Sequence, residues 1–415
     1  MSTVIIGGGA AGCFAAVFSA RSGDKVILLE PNGRLGRKLS ITGKGRCNIT
    51  NNCDLDTLMR NVTKNPSFLY SAFSRFGTAD CIQFIESIGV PLKTERGNRV
   101  FPVSDKATDI VGALEREIKR LGVETVWERA TDIVTEGGAV TAVKTDKRLI
   151  PAEKVILATG GVSYKATGST GDGYKMAKRL GHTVTELKPS LIPLETEEDC
   201  FAAAGLTVKN AVLTLLDTKS GKKLFSELGE LSFEEYGVGG PLVLSASARL
   251  PGIEKGRYVL SIDFKPALDH KKLDLRLQRE IAADGRADLH GIMRTLLPEK
   301  LIAPVLSRAN GDPSKKAAET SSSLRKSLVS TLKSYTLTVK AFRPINEAIV
   351  TDGGVSVAEI SPSDMQSKLI KGLHFAGEMI DVSGFTGGFN LQIAYSTAKA
   401  SSCRLNNVIK SHTKK

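Results

Sequence analysis

Three glycines and one acidic residue near the amino terminus have the spacing of a dinucleotide-binding motif. Gly7, Gly9 and Gly12 follow a short apolar segment, and Glu30 stands about 20 residues further on. In this motif the first glycine permits a sharp turn, the second lets the backbone approach a diphosphate, and the third allows close helix–sheet packing. The carboxylate accepts hydrogen bonds from ribose hydroxyls and disfavours a 2′-phosphate. These residues predict a site for the ADP moiety of FAD or NAD.

The motif requires a strand, a turn, a helix and a second strand in that order, and the flanking residues predict all four. Residues 4–6 and 25–29 have the apolar pattern of buried strands, and residues 13–22 form an alanine-rich helical segment. Unpaired N–H groups of the turn, which includes Ala10 and Ala11, would bind the diphosphate. A glycine-rich turn without a ligand is the alternative, and the ordered context argues against it.

The rest of the chain predicts an interrupted domain. The apolar run 154–158 is typical of a central parallel strand. Other elements predicted before residue 190 are helices over 55–60, 67–88 and 109–121 and a strand pair over 124–134 and 139–145. Later elements are strands over 208–216, 258–264 and 373–376 and helices over 273–283, 289–297, 322–334 and 391–405.

We therefore predict an α/β fold with a discontinuous Rossmann-like domain, residues 1–189 and 344–415. Residues 190–343 form an inserted domain for the substrate, with a β-rich part followed by a small helical part. At 415 residues and 41% hydrophobic content, the chain is long enough for such an arrangement.

The composition of the chain bears on its cellular location, on metal binding and on its partners. No run of about 18 apolar residues exists, and the first strand begins almost at the initiator methionine, so we expect a soluble cytoplasmic protein. Six scattered cysteines show no metal-ligand spacing, and no metal is expected. The net charge of +13 is compatible with nucleic acid, an anionic cofactor or an acidic substrate. Nucleic acid is disfavoured because the basic residues are spread along the chain, apart from a cluster at 410–415.

Two later motifs distinguish FAD from NAD. Ala158-Thr159-Gly160, followed by Gly161, and Gly377-Glu378 resemble the second and last strand motifs of glutathione-reductase-like flavoproteins. The resemblance implies that Glu378 holds the ribityl and pyrophosphate region of FAD. A second complete fingerprint for a nicotinamide is missing, so NAD(P)H, if used, would visit the flavin transiently.

A narrower resemblance rests on residues 42–51, 159–164, 168–174, 351–355 and 372–392. These segments are similar to the BaiN-like, aminoacetone-oxidase-like FAD family. The resemblance implies the same inserted domain, but members differ in reaction, so the family does not name the substrate. Lys44 and Lys165 depart from the family pattern and add positive charge, which favours an anionic substrate. Solvated surface lysines are the alternative.

The resemblance also implies cofactor contacts. The turn formed by Gly45, Arg46, Cys47 and Asn48 would run beside the flavin, and Arg46 and Lys38 would approach the pyrophosphate or a ring-side anion. The alternative for Arg46 is an ion pair with a carboxylate.

A second glycine pair precedes the final helix. Gly387, Gly388, Phe389 and Asn390 would direct N–H groups towards flavin N1 and O2. Asn390 as an ordinary helix cap is the alternative.

No catalytic group is assigned from the sequence. Asn48, Tyr164 and Arg343 are candidates, and Tyr174 is a further polar residue of interest. The histidines show no pairing pattern, and no Ser-His-Asp constellation is evident. Cys47 and Cys53 have the wrong spacing for a redox dithiol, and only Cys47 belongs to the family motif.

These features predict an FAD-dependent oxidoreductase that acts on a small organic substrate, with NAD(P)H-linked reduction or dehydrogenation of a C=C bond. Amine oxidation by O₂ is an alternative within the same family. A flavin-dependent RNA-modifying protein and a non-catalytic flavin-binding protein are alternatives of other classes. Oligomeric state is not predicted.

Overall fold

A computed structural model describes residues 1–403. The predicted basic cluster at 410–415 and the end of the predicted helix 391–405 lie outside the described residues. The chain divides into two compact units, residues 1–189 with those from 349 onward, and residues 190–348. Within the described part of the chain, every helix is too short or too polar to cross a bilayer.

The strands in chain order are β1 (Ser2–Ile6), β2 (Lys25–Leu29), β3 (Thr50–Asn51), β4 (Val62–Lys64), β5 (Leu92–Glu95), β6 (Arg99–Pro102), β7 (Glu124–Val126), β8 (Ala130–Glu136), β9 (Ala139–Thr145), β10 (Leu149–Pro151), β11 (Lys154–Leu157), β12 (Lys188–Ser190), β13 (Leu194–Thr196), β14 (Thr207–Asp217), β15 (Lys222–Glu234), β16 (Gly237–Gly239), β17 (Tyr258–Asp263), β18 (Tyr335–Phe342), β19 (Val350–Asp352), β20 (Leu373–Phe375) and β21 (Ser383–Gly384). The helices are α1 (Ala10–Arg21), α2 (Arg37–Ile41), α3 (Leu55–Arg60), α4 (Pro66–Arg75), α5 (Thr78–Ser87), α6 (Ala107–Arg120), α7 (Asp172–Arg179), α8 (Gly240–Ser247), α9 (His270–Ala283), α10 (Leu289–Arg294), α11 (Glu299–Arg308), α12 (Ser322–Lys333) and α13 (Phe389–Ser402).

A five-stranded parallel sheet forms the centre of the first unit, in the order β20–β11–β1–β2–β7. Val4 of β1 pairs with Val155 on one side and with Ile27 on the other. Strand β11 is buried at every position, as its continuous apolar run predicts. The predicted α/β fold is therefore confirmed. The carboxyl ends of these strands share one edge, where open α/β sheets bind their ligands.

Helix α1 is buried on almost every side, because it packs between the sheet and other helices of the first unit. The ring of Phe14 stacks on that of Tyr395 in α13 at 3.9 Å and meets Phe84 edge-on at 5.0 Å. Gly9 is the N-cap of α1, which therefore begins at Ala10, before the predicted start at residue 13. Its first turn therefore lies directly at the end of β1.

Two predicted elements of the first unit are wrong in their extent. The predicted helix over 67–88 is two helices, α4 and α5, because Gly77 starts a new helix and its N–H donates to the Asp80 carboxylate at 2.8 Å. The predicted strand over 124–134 is two strands in different sheets. Strand β7 pairs with β2, whereas β8 pairs with β9. Apolar periodicity does not detect either break.

The second unit contains a closed barrel in the order β13–β16–β15–β14–β17–β18. Alternate residues of β14 and β17 are buried, as in a sheet with one face in a core. Helices α9 to α12 share that core through residues such as Leu277 and Leu301. Neither β15 nor α11 was predicted from the sequence; Pro304 inside α11 hides the helical pattern. The β-rich and helical character predicted for this insert is present.

Two buried histidines make the fold sensitive to acid. His374 of β20 hydrogen-bonds the carbonyl oxygen of Asp364 through Nδ1 at 2.9 Å. Burial, with Lys154 adding repulsion, lowers the pKa of His374 to about 4. Burial also lowers the pKa of His182, although Glu359 opposes that effect. Both side chains are therefore neutral in the folded protein at neutral pH.

We predict that stability falls as the pH decreases from about 6.5 towards 4. In that window the unfolded chain binds a proton at residue 374 and the folded chain does not, so acid favours unfolding by up to about 3 kcal/mol. His374→Gln keeps a side-chain donor and should flatten the pH dependence of the urea midpoint. His270→Gln, at an exposed histidine, is the control. Identical pH profiles for wild type and His374→Gln would contradict the assignment.

Candidate active site

The three motif glycines occupy different environments. Gly7 has φ +107°, and a Cβ there would lie 2.6 Å from the carbonyl oxygen of Ala158. A Cβ on Gly12 would lie 1.7 Å from the carbonyl oxygen of Gly7. A Cβ on Gly9 meets no atom within 4 Å. Gly7 and Gly12 are therefore required by packing, whereas the space at Gly9 is open.

Glu30 stands at the end of β2, where its buried carboxylate is held by backbone and side-chain donors. One oxygen accepts from the Gly8 N–H at 2.8 Å. The other accepts from the Asn32 N–H at 2.9 Å and from the Asn32 side-chain amide at 2.5 Å. The carboxylate is thus fixed beside the glycine turn.

A cavity in the first unit runs past this turn and the carboxyl ends of β1, β2 and β11. It brings together ten of the predicted cofactor residues: Gly7, Gly9, Ala10, Ala11, Glu30, Lys38, Thr159, Gly160, Glu378 and Asn390. Ten others do not line it: Gly12, Gly45, Arg46, Cys47, Asn48, Gly161, Gly377, Gly387, Gly388 and Phe389. Arg129, Ile349 and Val350 also line it, and no sequence motif indicated them.

Lys38 and Glu378 meet in the wall of this cavity. The Lys38 ammonium donates to Glu378 at 3.0 Å and to the Ser163 hydroxyl at 2.8 Å. The second carboxylate oxygen of Glu378 accepts from the Thr351 N–H at 2.7 Å. Burial raises the pKa of Glu378, but Lys38 and the Thr351 N–H outweigh it, and the net shift is downwards. Glu378 is therefore an ionised carboxylate.

Gly161, which follows β11, is also required by packing. A Cβ on Gly161 would lie 2.3 Å from the Thr351 hydroxyl and 2.7 Å from the Glu378 carboxylate. The absence of a side chain at Gly161 therefore allows the Ser163 hydroxyl and the Thr351 N–H to hydrogen-bond Glu378. Ser163 and Thr351 were not predicted as site residues, although both lie in segments that carry the family resemblance.

Arg46 lies outside the cavity wall, in a cluster of charged side chains. Its guanidinium pairs with Glu95 and with Asp105, at 2.6 Å from the latter, and lies 4.2 Å from the ring centre of Phe101. The Glu95 hydrogen bond, followed by that of Asp105, raises the pKa of Arg46. These contacts are those of the alternative considered above, an ion pair with carboxylates.

The residues beside Arg46 have different surroundings. Asn48 places its side-chain oxygen in a buried position without a hydrogen-bond partner among the described residues. Cys47 has φ +59° and is fully buried. Burial raises the pKa of Cys47 to about 12 and that of Cys53 to about 11, so neither thiol is a thiolate at neutral pH.

The glycine pair before α13 packs against β3. A Cβ on Gly388 would lie 2.5 Å from backbone atoms of Thr50, and the Asn51 amide donates to the Gly387 carbonyl at 3.2 Å. Asn390 exchanges hydrogen bonds with the backbone of Gly384 at 2.9 and 2.7 Å. Asn390 thus closes its own loop, and no side chain caps the first N–H groups of α13.

The remaining candidates have structural partners. Arg343, in the second unit, lies between Glu195 at 3.0 Å and Glu347 at 2.8 Å. The Tyr174 hydroxyl donates to the Glu378 carbonyl at 2.8 Å. Tyr164 has φ +52°, and its ring centre lies 5.9 Å from the Lys38 ammonium.

One histidine has buried partners that the sequence did not indicate. His182 accepts or donates on both ring nitrogens, to Glu359 at 3.0 Å and to the Ser367 hydroxyl at 2.9 Å. The Ser367 oxygen also accepts from the N–H groups of Leu369 and Ile370, and it is buried. The arrangement resembles a hydrolase triad in connectivity only, because the serine is occupied by backbone donors. The sequence did not indicate this arrangement because His182 lies 177 residues from Glu359 and 185 residues from Ser367.

A family model described as HI0933-like protein Rossmann domain matches residues 1–403. The chain belongs to this family. The resemblance to the BaiN-like FAD family is thereby confirmed, and this HI0933-like protein is an FAD-dependent oxidoreductase. Among the residues described, no three His, Cys, Asp or Glu side chains are grouped to hold a metal.

The chain is similar over most of its length to two relatives whose names describe an activity. It is 31% identical over 399 residues to a 3-dehydro-bile acid delta(4,6)-reductase of Clostridium scindens, covering 95% of this chain and 96% of the relative. It is 29% identical over 399 residues to a ribosomal RNA dihydrouridine synthase of Escherichia coli, covering 96% of each.

Solved structures show the fold. The 3-ketosteroid-delta4-(5alpha)-dehydrogenase of Rhodococcus jostii superposes with a TM-score of 0.52 at 15% identity and 97% coverage of each chain. A flavocytochrome c3 fumarate reductase superposes with a TM-score of 0.50 at 18% identity, covering 97% of this chain and 77% of the other. At these identities the likeness extends to the fold alone.

We predict that Gly9→Val abolishes FAD retention without unfolding the protein. Gly9 has φ −80° and open space at its Cβ, so valine fits the polypeptide, but it would occupy the volume of a bound diphosphate. The single tryptophan, Trp127, precedes Glu128 and Arg129 of the cavity wall, so bound flavin should quench its fluorescence. An FAD titration of apoprotein measures the loss.

Gly252→Val is the matched control, because that glycine also has open space and lies in the second unit. It should bind FAD as wild type does. Purification of Gly9→Val with stoichiometric flavin would show that the diphosphate lies elsewhere.

Proposed function

We propose that FAD binds along the cavity of the first unit, with its diphosphate at the N-terminus of α1. The open space at Gly9, the fixed carboxylate of Glu30 and the uncapped N–H groups of α1 suit a diphosphate and ribose. The unpartnered buried oxygen of Asn48 and the uncapped N-terminus of α13 suit the polar edge of an isoalloxazine. The residues present therefore fit the cofactor.

We propose reduction of a C=C bond conjugated to a carbonyl as the reaction. The name of the Clostridium relative describes a ketone with two double bonds, which are reduced. Dihydrouridine, the product named for the Escherichia relative, is uridine with its carbonyl-conjugated ring C=C saturated. Hydride addition to an activated alkene is common to both names. This shared chemistry, in relatives matched over the whole chain, carries the proposal.

When bound, FAD supplies the hydride chemistry, and this chain's residues provide orientation and electrostatics. The Lys38–Glu378 pair places a compensated charge in the cavity wall, so neither side chain leaves a net charge buried there. The uncapped N–H groups of α13 favour negative charge on an adjacent group. Apolar side chains such as Val350 and Val382 limit water in the cavity.

We propose NADH or NADPH as the reductant, arriving transiently because the sequence has no second dinucleotide fingerprint. Amine oxidation by O₂ predicts the opposite kinetics, since the flavin would be reduced by the amine and not by a nicotinamide.

We predict that anaerobic mixing with one nicotinamide bleaches the flavin rapidly in stopped-flow absorbance, and that a conjugated dienone then reoxidises it faster than O₂ does. Reduction by aminoacetone with rapid reoxidation by O₂ would instead indicate the oxidase. Slow reduction by every donor would indicate a non-catalytic flavoprotein.

A uridine in RNA is the second candidate substrate. The net charge of +13 favours it, and two relatives, of 29% and 28% identity, are named as ribosomal RNA dihydrouridine synthases. Such charge supports sequence-independent attraction to phosphates.

We predict that parallel flavin-reoxidation experiments with the two candidate substrates show which one the enzyme reduces. Anaerobically reduced protein is mixed with a 3-oxo-Δ4,6 bile acid and, separately, with unmodified ribosomal RNA, and flavin reoxidation is followed. Mass spectrometry then measures the saturated acid or dihydrouridine. RNA as substrate requires a reoxidation rate that falls steeply with salt, whereas salt should barely affect reaction with the bile acid.

A further inference from the structure

The turn beside Arg46 contains a lysine in a conformation that favours glycine. Lys44 has φ +59°, and its neighbours Gly43 and Gly45 have φ +57° and +83°. A residue with a Cβ is strained in this region, whereas glycine is not. Such positions cluster at active sites and ligand-binding turns.

Lys44 also carries an uncompensated charge. Its side chain is exposed and has no hydrogen-bond or ion-pair partner within residues 1–403. The acidic residues of the neighbouring cluster are already engaged: Asp105 binds Arg46 at 2.6 Å and Lys93 at 2.7 Å, and Glu95 also pairs with Arg46. The cluster therefore leaves Lys44 available for an external anion.

The turn is held rigidly next to the cavity. Thr42, two residues before Lys44, lines the cavity, and its carbonyl accepts from the Cys47 N–H at 3.0 Å. Arg46, two residues after Lys44, is anchored by its ion pairs and by its contact with Phe101. Lys44 thus lies in a turn that begins at the cavity wall with Thr42 and is fixed on both sides.

We propose that Lys44 binds an oxyanion of the substrate, a carboxylate or a phosphate, and so selects anionic substrates for the reaction proposed above. The inference rests on that proposed function for its identification of the bound molecule. An ammonium is a point charge with three donors, which suits a single oxyanion approached from solvent. Lys44 is a specificity residue and takes no part in hydride transfer.

The test compares two probes that differ only in charge, a 3-oxo-Δ4,6 bile acid and its methyl ester. Wild type should bind the acid more tightly, as measured from the flavin difference spectrum at equilibrium. Lys44→Gln should weaken binding of the acid roughly tenfold and leave the ester unchanged. Lys44→Arg should retain the preference. Lys147→Gln, at another exposed lysine, is the control.

Lys44→Gly separates strain from charge. It should lose the preference for the acid as Lys44→Gln does, but it should unfold at a higher temperature than Lys44→Gln, because glycine relieves the backbone strain. Equal unfolding temperatures would remove the strain argument and count against a retained functional lysine.

A short uridine-containing RNA provides the second arm. If the oxyanion is a phosphate, Lys44→Gln weakens RNA binding, lowers the salt slope by about one and leaves the bile acid affinity unchanged. Unchanged affinity for both the acid and the RNA overturns the proposal. Because binding is measured without turnover, failure of wild type to reduce any probe refutes only the proposed reaction. The oxyanion site is refuted if wild type binds the acid and the ester equally and if Lys44→Gln leaves the RNA affinity unchanged.

Discussion

The stacking of Phe14 on Tyr395 at 3.9 Å joins α1 to α13, the first and last helices of the described residues, and the cavity depends on that contact. The first unit is interrupted by more than a third of the chain's length, so its two segments must find each other through tertiary contacts. Strand β20 completes the sheet beside β11, and Glu378 pairs with Lys38 in the cavity wall. Without these contacts the glycine turn would have no opposing wall. The ten predicted cofactor residues that line the cavity therefore come together only after folding.

Local chemistry explains what the sequence could predict. The glycine turn, β2 and β11 depend on neighbouring residues, and so their positions follow from short patterns of size and polarity. The break at Gly77 and the division at residues 127–129 depend on which partner strand or cap is available, and apolar periodicity does not report that. The hydrogen-bond chain from Ser367 through His182 to Glu359 lies still further from local pattern, because nothing in the separate segments marks the residues as partners.

Ion pairing explains why residue type alone did not identify which basic side chains are available to a ligand. Arg46 and Arg343 are each held by two carboxylates, and in each case a cation–aromatic contact, with Phe101 or Tyr236, fills the remaining face. Guanidinium groups suit such paired and stacked positions. Their contribution is to hold a turn or a strand end in place. The cations available to a ligand are those that no carboxylate neutralises, and only the folded structure identifies them.

The glycines of the turn differ in whether packing of the polypeptide requires them. At Gly7 and Gly12 a side chain would collide with backbone atoms, so these positions serve the fold whether or not a ligand is present. At Gly9 the protein leaves room for a side chain and does not use it. Selection for packing alone would not require glycine there, because an alanine costs less conformational entropy on folding. The open space at Gly9, beside the N-terminus of a buried helix, therefore suits the diphosphate of the cofactor proposed above.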